Sequence, residues 1–341
     1  MSLISLIIPC FNSSRTIREC LYSVLESSLL PFEIIVVDDK STDNSLAIIE
    51  DFSLISSVPT KIIKKNNNSG PATARNIGAR NSNGKYLFFA DSDTKLDKDA
   101  IAIAFETINN RPQKVSGVVG IYNVNKSQGI FAEFKTSYYL FHMARKGIID
   151  YDAFSASCAL IRRDDFFAVG GYDQWFTPGL DLENEELGYR LVENGFKLVL
   201  NPAIRCDHDF PAGIILLKIF FVRTACWMEM SMVRRTFTKA LSTKNTGFTS
   251  LIPFFTIFLG LLIVIVHSSF LIVVLIILLI VYLMLCLPYL RYYMHKNKSP
   301  KIFRIIFATY FSHLFISFGA IYGVIKVLVG RSLIFNKFSK K

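Results

Sequence analysis

The stretch that decides the fold is Lys85-Tyr-Leu-Phe-Phe-Ala-Asp-Ser-Asp93. Its segment Tyr86–Ala90 is short, uncharged and rich in aromatic residues, which predicts a buried strand. The strand ends in two carboxylates, Asp91 and Asp93, and in an open α/β sheet ligands bind outside the carboxyl ends of the strands. Mg²⁺ and Mn²⁺ are held by such carboxylates together with substrate phosphates. The stretch therefore predicts a divalent-metal site, and a solvated turn is the alternative explanation.

The first half of the chain alternates between strand-like and helix-like segments. Short apolar runs predict the strands, and capping or turn residues separate them from segments of helical character. Such alternation indicates an α/β domain with a doubly wound, mostly parallel sheet. The predicted strands cover residues 3–9, 33–37, 61–65 and 86–90, and the predicted helices cover residues 15–29, 43–52 and 70–81.

Two further polar features lie in this half. Asp38 and Asp39 follow the second predicted strand, as Asp91 follows the fourth. Paired acids at neighbouring strand ends can form a nucleotide pocket, because a carboxylate accepts hydrogen bonds from a base N–H or a ribose hydroxyl. The alternative is a helix-capping turn, which Asp43 alone can supply. Arg75 lies inside the third predicted helix, where its guanidinium can reach a uracil edge or a diphosphate.

The charge of the chain is unevenly divided. Up to Phe210 there are 22 Lys and Arg against 26 Asp and Glu, whereas the remaining 131 residues hold 16 Lys and Arg and a single acid, Glu229. The overall charge of +11 therefore belongs to the second part. A nucleic-acid-binding protein is expected to carry its basic surplus on the folded domain, so this distribution argues against nucleic acid as a partner.

The second part is also the hydrophobic part. Residues 248–290 are 43 positions without Asp, Glu, Lys or Arg, and residues 305–325 are 21 more. Because a spanning helix needs about 20 apolar residues, the first run is long enough for two helices and the second for a third. A turn is expected near His267-Ser268-Ser269. We expect a multi-pass protein of the cell membrane.

Basic clusters predict the orientation of the protein. Residues 1–9 resemble a strand and not a signal peptide, so we expect the catalytic part to stay in the cytoplasm. The clusters at residues 234–244 and 291–304 agree with this by the positive-inside rule. A third cluster, residues 331–341, cannot lie on the same side if there are three spans. Either the last apolar run does not cross the membrane or this cluster lies outside.

Four regions follow from these patterns. We expect a catalytic domain in residues 1–210 and a membrane region of two to three helices in residues 248–330. Between them, residues 211–247 mix apolar side chains with cations, which predicts an amphipathic helix at the membrane surface. A basic tail covers residues 331–341. The six cysteines form no Cys-x-x-Cys pair, which indicates free thiols in a reducing compartment.

Four motifs together resemble the family 2 glycosyltransferases. They occur in the order and spacing of that family, and the resemblance covers roughly residues 1–210. The motifs are Ser5-Leu-Ile-Ile-Pro-Cys-Phe-Asn12, Val36-Val-Asp-Asp-Lys-Ser-Thr-Asp43, Asn68-Ser-Gly-Pro-Ala-Thr-Ala-Arg-Asn-Ile-Gly78 and Phe88-Phe-Ala-Asp-Ser-Asp93. The resemblance implies a GT-A fold, a nucleotide-diphosphate sugar donor and a divalent cofactor, Mg²⁺ or Mn²⁺.

The same resemblance implies roles for individual residues. Pro9 and Phe11 would line the base pocket, and Asp39 would contact the base. Arg75 would lie beside the nucleotide. Asp91 and Asp93 would hold the ribose and the metal–diphosphate, with Asp93 as the direct ligand. His208 lies where related enzymes can add a metal ligand, although a structural or exposed histidine explains it as well.

An acidic segment opens a further predicted helix, which ends at Asn194-Gly195. The helix dipole alone can account for some of its acids. The family usually places Glu-Asp here, with the Asp as catalytic base of an inverting reaction, but this chain has Asn184 at the second position. An amide cannot take a proton from an attacking hydroxyl. The candidate bases are Glu183 first, then Asp181 and Glu185.

The Glu183-Asn184 pair also resembles the polypeptide N-acetylgalactosaminyltransferases, which retain the anomeric configuration. We predict a membrane-bound, inverting hexosyltransferase, and a retaining enzyme is the alternative. Its acceptor would be lipid-linked or a polysaccharide, membrane lipids would be partners, and an oligomer is possible. Trp175 can stack on an acceptor sugar or pack in the core. A catalytically impaired nucleotide-sugar-binding protein is the rival from another class.

Overall fold

The computed structural model describes most of the chain. The described residues are 3–111, 114–124, 129–144, 147–176, 182–211, 213–235, 244–297 and 301–338. They form two compact units, which are Met1–Val124 with Met143–Asp209, and Asn125–His142 with Phe210–Lys341. Residues 125–142 fall inside the range predicted for the catalytic domain, but they group with the second unit.

The first unit is built on one mixed sheet. Among the described residues its strands are β1 (Ile4–Cys10), β2 (Glu33–Asp38), β3 (Thr60–Lys64), β4 (Tyr86–Ala90), β5 (Thr94–Leu96), β6 (Gly117–Tyr122), β7 (Ile149–Tyr151), β8 (Cys158–Arg162) and β9 (Leu198–His208). The strand order is β3-β2-β1-β4-β8-β6-β9-β5, and β7 pairs with β9. The β3-β2-β1-β4 half is parallel throughout. Strand β8 joins β4 in the antiparallel direction, and β6 returns parallel to β9. The predicted α/β fold is confirmed.

Helices cover this sheet. They are α1 (Ile17–Leu25), α2 (Ser45–Ile55), α3 (Pro71–Arg80), α4 (Ala100–Asn109), α6 (Arg163–Ala168) and α7 (Glu183–Glu193). Strands β1, β2 and β4 are buried along their whole length, as strands between two helical layers must be. A Cβ at Gly78 would lie 2.5 Å from the Cγ2 of Ile7, so glycine lets α3 lie close against β1. This contact fixes the helix that carries Arg75.

The second unit is helical. Its helices are α5 (Ile130–Met143), α8 (Ile214–Arg234), α9 (Lys244–Val266), α10 (Ser269–Lys296), α11 (Ile302–Leu328) and α12 (Leu333–Phe338). Three segments are long and apolar enough to cross a membrane, namely Gly247–Val266, Ser269–Lys296 and Ile302–Leu328. The predicted turn between the first two lies at His267 and Ser268, where α9 ends and α10 begins. Many large apolar side chains of α9 and α10 are exposed, as expected for helices covered by lipid.

Helix α8 packs closely along α11. A Cβ at Gly319 would lie 2.3 Å from the carbonyl oxygen of Phe221, and one at Gly323 would lie 2.4 Å from that of Ala225. Two glycines four residues apart thus let the two backbones approach, as in many helix pairs of membrane proteins. Further along α8, the fully buried Glu229 accepts hydrogen bonds from Lys326 at 2.7 Å and from Ser332 at 2.5 Å. The only acid after Phe210 is therefore neutralised inside the unit. The surface position predicted for residues 211–247 stays a prediction.

Helix α5 is held by the helices that follow Phe210. The hydroxyls of Ser137 and Tyr289 lie 2.7 Å apart, and the Tyr293 hydroxyl donates to Glu133 at 2.7 Å. The Phe134 ring packs edge to face on Tyr289, with ring centres 6.0 Å apart. These contacts place a face of α5 that carries both polar and apolar side chains against α10.

We expect a fragment of residues 1–210 to need detergent. It keeps α5 but loses the helices that cover Phe134, Tyr138 and Phe141, so their apolar surface becomes exposed. The matched fragment replaces residues 125–142 with a short Gly-Ser linker and is expected to stay in solution. Sedimentation with and without detergent compares the two. If both fragments stayed in solution without detergent, the apolar surface of α5 would not need the helices after Phe210 to cover it.

Candidate active site

The ends of three parallel strands meet at one edge of the sheet. The backbone N–H of Thr42 donates to the side-chain oxygen of Asn12 at 2.7 Å, and the N–H of Asn12 donates to Ser41 Oγ at 3.0 Å. Asn12 has a φ of 50°, in the left-handed region that Asn tolerates better than most residues. The hydroxyls of Ser13 and Ser92 lie 2.7 Å apart. The segments after β1, β2 and β4 are thus joined by hydrogen bonds.

Asp38 and Asp39 have different surroundings. Asp39 accepts the N–H groups of Ser69 at 3.2 Å and Gly70 at 2.7 Å, and it pairs with Lys65. It therefore holds the loop that leads into α3. The Asp38 side chain accepts the N–H of Ser41 through Oδ2 at 3.2 Å. Its buried Oδ1 has no hydrogen-bond partner among the described residues, which leaves an acceptor at the strand end.

Pro9 and Phe11 differ in exposure. Pro9 is buried within β1, opposite Val37 of β2. Phe11 follows the end of the strand and is 45% exposed. Of the two residues predicted for the base pocket, Phe11 presents its ring to solvent, whereas Pro9 is buried in the strand that precedes it.

Arg75 connects three elements. Its guanidinium is buried and donates from Nη2 to Asp91 Oδ1 at 2.7 Å and from Nη1 to Glu183 Oε1 at 3.2 Å. The ring of Tyr172 lies 5.3 Å from the guanidinium carbon. Burial alone would lower the pKa of Arg75, but the charge of Asp91, followed by Tyr172 and Glu183, outweighs it and raises the pKa. The structure thus brings Glu183, at the start of α7, to the carboxylate that ends β4.

We expect Arg75→Leu to lower the free energy of unfolding by about 3 kcal/mol or more, because two carboxylates lose their buried counter-charge. Urea titration of the detergent-solubilised chain measures the loss. Arg80→Leu removes an exposed cation from the last turn of the same helix and is expected to change stability by less than about 0.5 kcal/mol. Similar losses of unfolding free energy in the two variants would mean that the buried ion pairs of Arg75 do not stabilise the fold more than an exposed cation does.

Asp91, Asp93 and His208 form a group that can hold a metal ion. One donor atom from each lies within 4.8 Å of the others, and His208 Nε2 lies 3.5 Å from Asp93 Oδ1. The pairing of β5 with β9 sets His208 opposite Thr94 and so fixes its place. The sequence-predicted ligands are therefore adjacent in space.

The electrostatics of this group fit a cation. Burial would raise the pKa of Asp91, but the charge of Arg75 and its hydrogen bond outweigh it and lower that pKa. Removal from bulk water and then the charge of Asp91 raise the pKa of Asp93 to about 7. Arg75 is shared between Asp91 and Glu183, so negative charge remains at this group. Two carboxylate oxygens and an imidazole nitrogen are donors that Mn²⁺ accepts.

Two residues that no motif predicted also contact this group. Ser157 donates to Asp91 Oδ2 at 2.8 Å, and its hydroxyl lies 2.9 Å from that of Tyr122. The ring of Tyr122 packs edge to face on His208, with centres 5.0 Å apart. Tyr122 ends β6 and Ser157 directly precedes β8, and the sequence offered no signal for their contact.

The start of α7 separates the candidate bases. Glu183 is buried beside Arg75, and Glu185 is partly exposed, whereas Asp181 lies outside the described residues. Asn184 Oδ1 accepts the N–H of Ala156 at 3.3 Å and lies 3.4 Å from the Tyr172 hydroxyl. The Asn184 amide therefore ties α7 to the loop before β8.

Two other residues of this region have packing roles. Glu186 forms an ion pair with Arg190 one turn further along α7, at 2.6 Å. Trp175 is half-buried, with its ring centre 5.2 Å from that of Phe176. Its predicted contact with an acceptor sugar stays a prediction.

Comparison with known proteins identifies the domain. Residues 5–169 match the model of glycosyl transferase family 2. The chain carries a family 2 glycosyltransferase domain. All four quoted motifs lie inside this match, as do Asp91, Asp93 and Ser157. The helix that begins at Glu183 and the strand that ends at His208 follow it.

Relatives and a solved structure agree with this assignment. Glycosyltransferase GlyG of Streptococcus pneumoniae is 32% identical over 130 residues, which are 38% of this chain and 42% of GlyG. Poly-beta-1,6-N-acetyl-D-glucosamine synthase of Staphylococcus epidermidis is 32% identical over 136 residues, 40% of this chain and 32% of that protein. The matched region thus spans less than half the length of these relatives. Mannosyltransferase PcManGT from Pyrobaculum calidifontis superposes over 98% of this chain and 77% of its own, with a TM-score of 0.53 and 14% identity. This likeness supports the GT-A fold.

Proposed function

We propose that the chain is a membrane-bound glycosyltransferase that moves a sugar from a nucleotide-diphosphate donor to an acceptor hydroxyl. The observation that carries this proposal is the pair of bonds made by Arg75. They bring Glu183 next to Asp91, beside the Asp91–Asp93–His208 group. One guanidinium, that of Arg75, thus pairs with Asp91 of the candidate metal group and with Glu183 from a different element.

The donor would bind at the ends of β1, β2 and β4. Phe11 offers an exposed ring for the base, and Asp38 offers an acceptor for a base N–H or a ribose hydroxyl. Asp39 would support the pocket for the nucleotide base indirectly, because it holds the loop that leads into α3. PcManGT was solved with GDP-Man and Mn²⁺, which supports a nucleotide sugar and a divalent ion for this chain as well.

Asp93, His208 and Asp91 would hold Mg²⁺ or Mn²⁺. When bound, such an ion neutralises the charge that develops on the leaving diphosphate. The residues around it would keep its ligands in place, because Arg75 holds Asp91 on one side and the β5–β9 pairing holds His208 on the other.

Glu183 would accept the proton of the attacking hydroxyl. Its carboxylate accepts a hydrogen bond from Arg75, which also donates to Asp91, whereas the side chain of Asn184 is engaged with Ala156 and Tyr172. A base on this helix fits single displacement with inversion, in which the acceptor hydroxyl attacks the sugar directly. Retention is the alternative, favoured by the Asn184 amide, and the anomeric form of the product separates the two.

The acceptor would be a lipid-linked or polysaccharide hydroxyl at the cytoplasmic face. Three helices are apolar enough to span a membrane, and one of the relatives is a synthase of poly-beta-1,6-N-acetyl-D-glucosamine. The basic clusters that flank these helices support a cytoplasmic catalytic domain. The acceptor molecule would be a sugar or a lipid carrier that reaches the domain from the membrane.

The proposal is tested by adding nucleotide sugars one at a time to the purified full chain. We expect one or a few donors to raise the melting temperature only with Mn²⁺ or Mg²⁺, and the same donors to be hydrolysed or transferred. Stabilisation without any hydrolysis or transfer to membrane extracts would favour the impaired binding protein. Absence of any metal-dependent donor effect would contradict both functions.

A further inference from the structure

Both oxygens of Asp91 are held by protein donors. Arg75 donates to Oδ1 at 2.7 Å and Ser157 donates to Oδ2 at 2.8 Å. Ser157 is 4% exposed and precedes β8, so its backbone is fixed by the sheet. A carboxylate held on both sides keeps one orientation, and each of its oxygens still has a lone pair for another partner.

The direction of the next hydrogen bond follows from proton counting. A serine hydroxyl has a single proton, and Ser157 gives it to the ionised Asp91. The 2.9 Å contact between Ser157 and Tyr122 must therefore have the Tyr122 O–H as its donor. The result is a chain of two hydroxyls that ends on the carboxylate, in which each bond strengthens the next.

Tyr122 also contacts His208. It is the last residue of β6 and pairs with Cys206 of β9, so its side chain lies near that of the residue two positions further along the strand. The ring of Tyr122 meets His208 edge to face at 5.0 Å, with an angle of 78° between the ring planes. One tyrosine thus touches one candidate metal ligand with its ring and reaches another through Ser157.

We propose that Tyr122 and Ser157 are a positioning pair that fixes Asp91 and His208 at the spacing a divalent cation needs. The inference rests on the proposed metal site at Asp91, Asp93 and His208. Neither residue touches the ion. They act by limiting the rotation of the two ligands that do, and hydrogen-bonding partners of metal ligands commonly change metal affinity by about 10- to 100-fold.

The test measures Mn²⁺ binding to the detergent-solubilised full chain by electron paramagnetic resonance, without donor and without turnover. We expect Ser157→Ala to weaken Mn²⁺ binding by about 10-fold or more, and Tyr122→Phe by about 3- to 10-fold, because the ring contact to His208 remains. With donor and acceptor present, both variants should regain most of the wild-type kcat at saturating Mn²⁺. A general structural defect would lower kcat at every Mn²⁺ concentration.

Two control variants match these changes. Tyr86→Phe removes a hydroxyl that donates to Asn109 at 2.6 Å, in the same sheet but at the other end of β4. Ser82→Ala removes a buried hydroxyl that donates to the carbonyl of Ala79 at 2.6 Å. Neither lies at the metal group, so we expect both to bind Mn²⁺ within about twofold of wild type.

Each outcome decides the matter. Unchanged Mn²⁺ affinity in the folded test variants, or equal losses in test and control variants, overturns the positioning role while leaving the metal site in place. If the wild-type chain itself binds no Mn²⁺, the proposed metal site fails and the positioning role fails with it. If one test variant does not fold, as judged by its melting temperature, the affinity of the other decides.

Discussion

Glu183→Gln is expected to lower the rate of sugar transfer by about 10²- to 10⁴-fold, the usual loss when a general base is removed. The amide oxygen of Gln can still accept the hydrogen bond that Glu183 accepts from Arg75 at 3.2 Å, so the local geometry is preserved. It cannot take a proton from the acceptor. Single-turnover transfer and donor binding are measured separately, and donor affinity should stay near that of wild type.

The control for this variant is Glu193→Gln, which removes an exposed carboxylate from the last turn of the same helix. It should transfer at the wild-type rate. A wild-type rate for Glu183→Gln would remove Glu183 from the role of base, and Glu185 and Asp181 would be tested next. Loss of donor binding together with transfer would instead indicate that Glu183 acts through Arg75 and Asp91 on the donor site.

The parallel half of the fold could be predicted because buried strands carry their signal locally. Residues 3–9 and 86–90 were predicted as strands, and the structure has β1 at Ile4–Cys10 and β4 at Tyr86–Ala90. The second half was not predictable in the same way. Strand β9 runs from Leu198 to His208 and pairs with three other strands in different directions. Pairing between such distant segments depends on the whole sheet and leaves no local pattern.

The site shows the same division. Asp91 and Asp93 were found from the sequence because a strand end and a motif coincide there. The contacts of Tyr122 and Ser157 depend on the register between β6 and β9, where the pairing shifts between Val119 and Ile121. A Cβ at Gly120 would lie 2.7 Å from the carbonyl oxygen of Ile204, so the glycine accommodates this irregularity. No sequence pattern reports such a shift.

Helix α5 lies inside the range predicted for the catalytic domain, residues 1–210, yet it groups with the helices of the second unit. A mixed polar and apolar pattern is typical of a helix on a soluble domain and equally of one that packs on other helices. What distinguishes it here are specific bonds, such as those from Ser137 to Tyr289 and from Tyr293 to Glu133. These join residues more than 150 positions apart, so only the folded chain reveals them.

Asp93→Asn is expected to weaken Mn²⁺-dependent binding of the donor by roughly 100-fold. Loss of a residue that merely orients a metal ligand costs about 10- to 100-fold, and Asp93 is a candidate ligand itself. Binding of the nucleoside without metal should persist, because Phe11 and Asp38 are unchanged. Calorimetric titration of the donor with and without Mn²⁺ measures both quantities, and Asp99→Asn, an exposed carboxylate nearby, is the control.

The melting temperature of the metal-free protein gives a second measurement, in which Asp93→Asn is expected to have no harmful effect. The pKa of Asp93 is raised from 3.8 to about 7, so the folded state holds its proton more tightly than the unfolded state does. Ionisation of Asp93 therefore lowers stability as the pH rises from about 4 to 7, and this loss is complete above pH 7. Asn carries no charge, so at pH 8 and without metal the variant should melt at the same temperature as wild type or above it, while Mn²⁺ should stabilise it less. A variant that melts lower without metal yet binds Mn²⁺ as tightly as wild type would show that Asp93 serves the fold and not the ion.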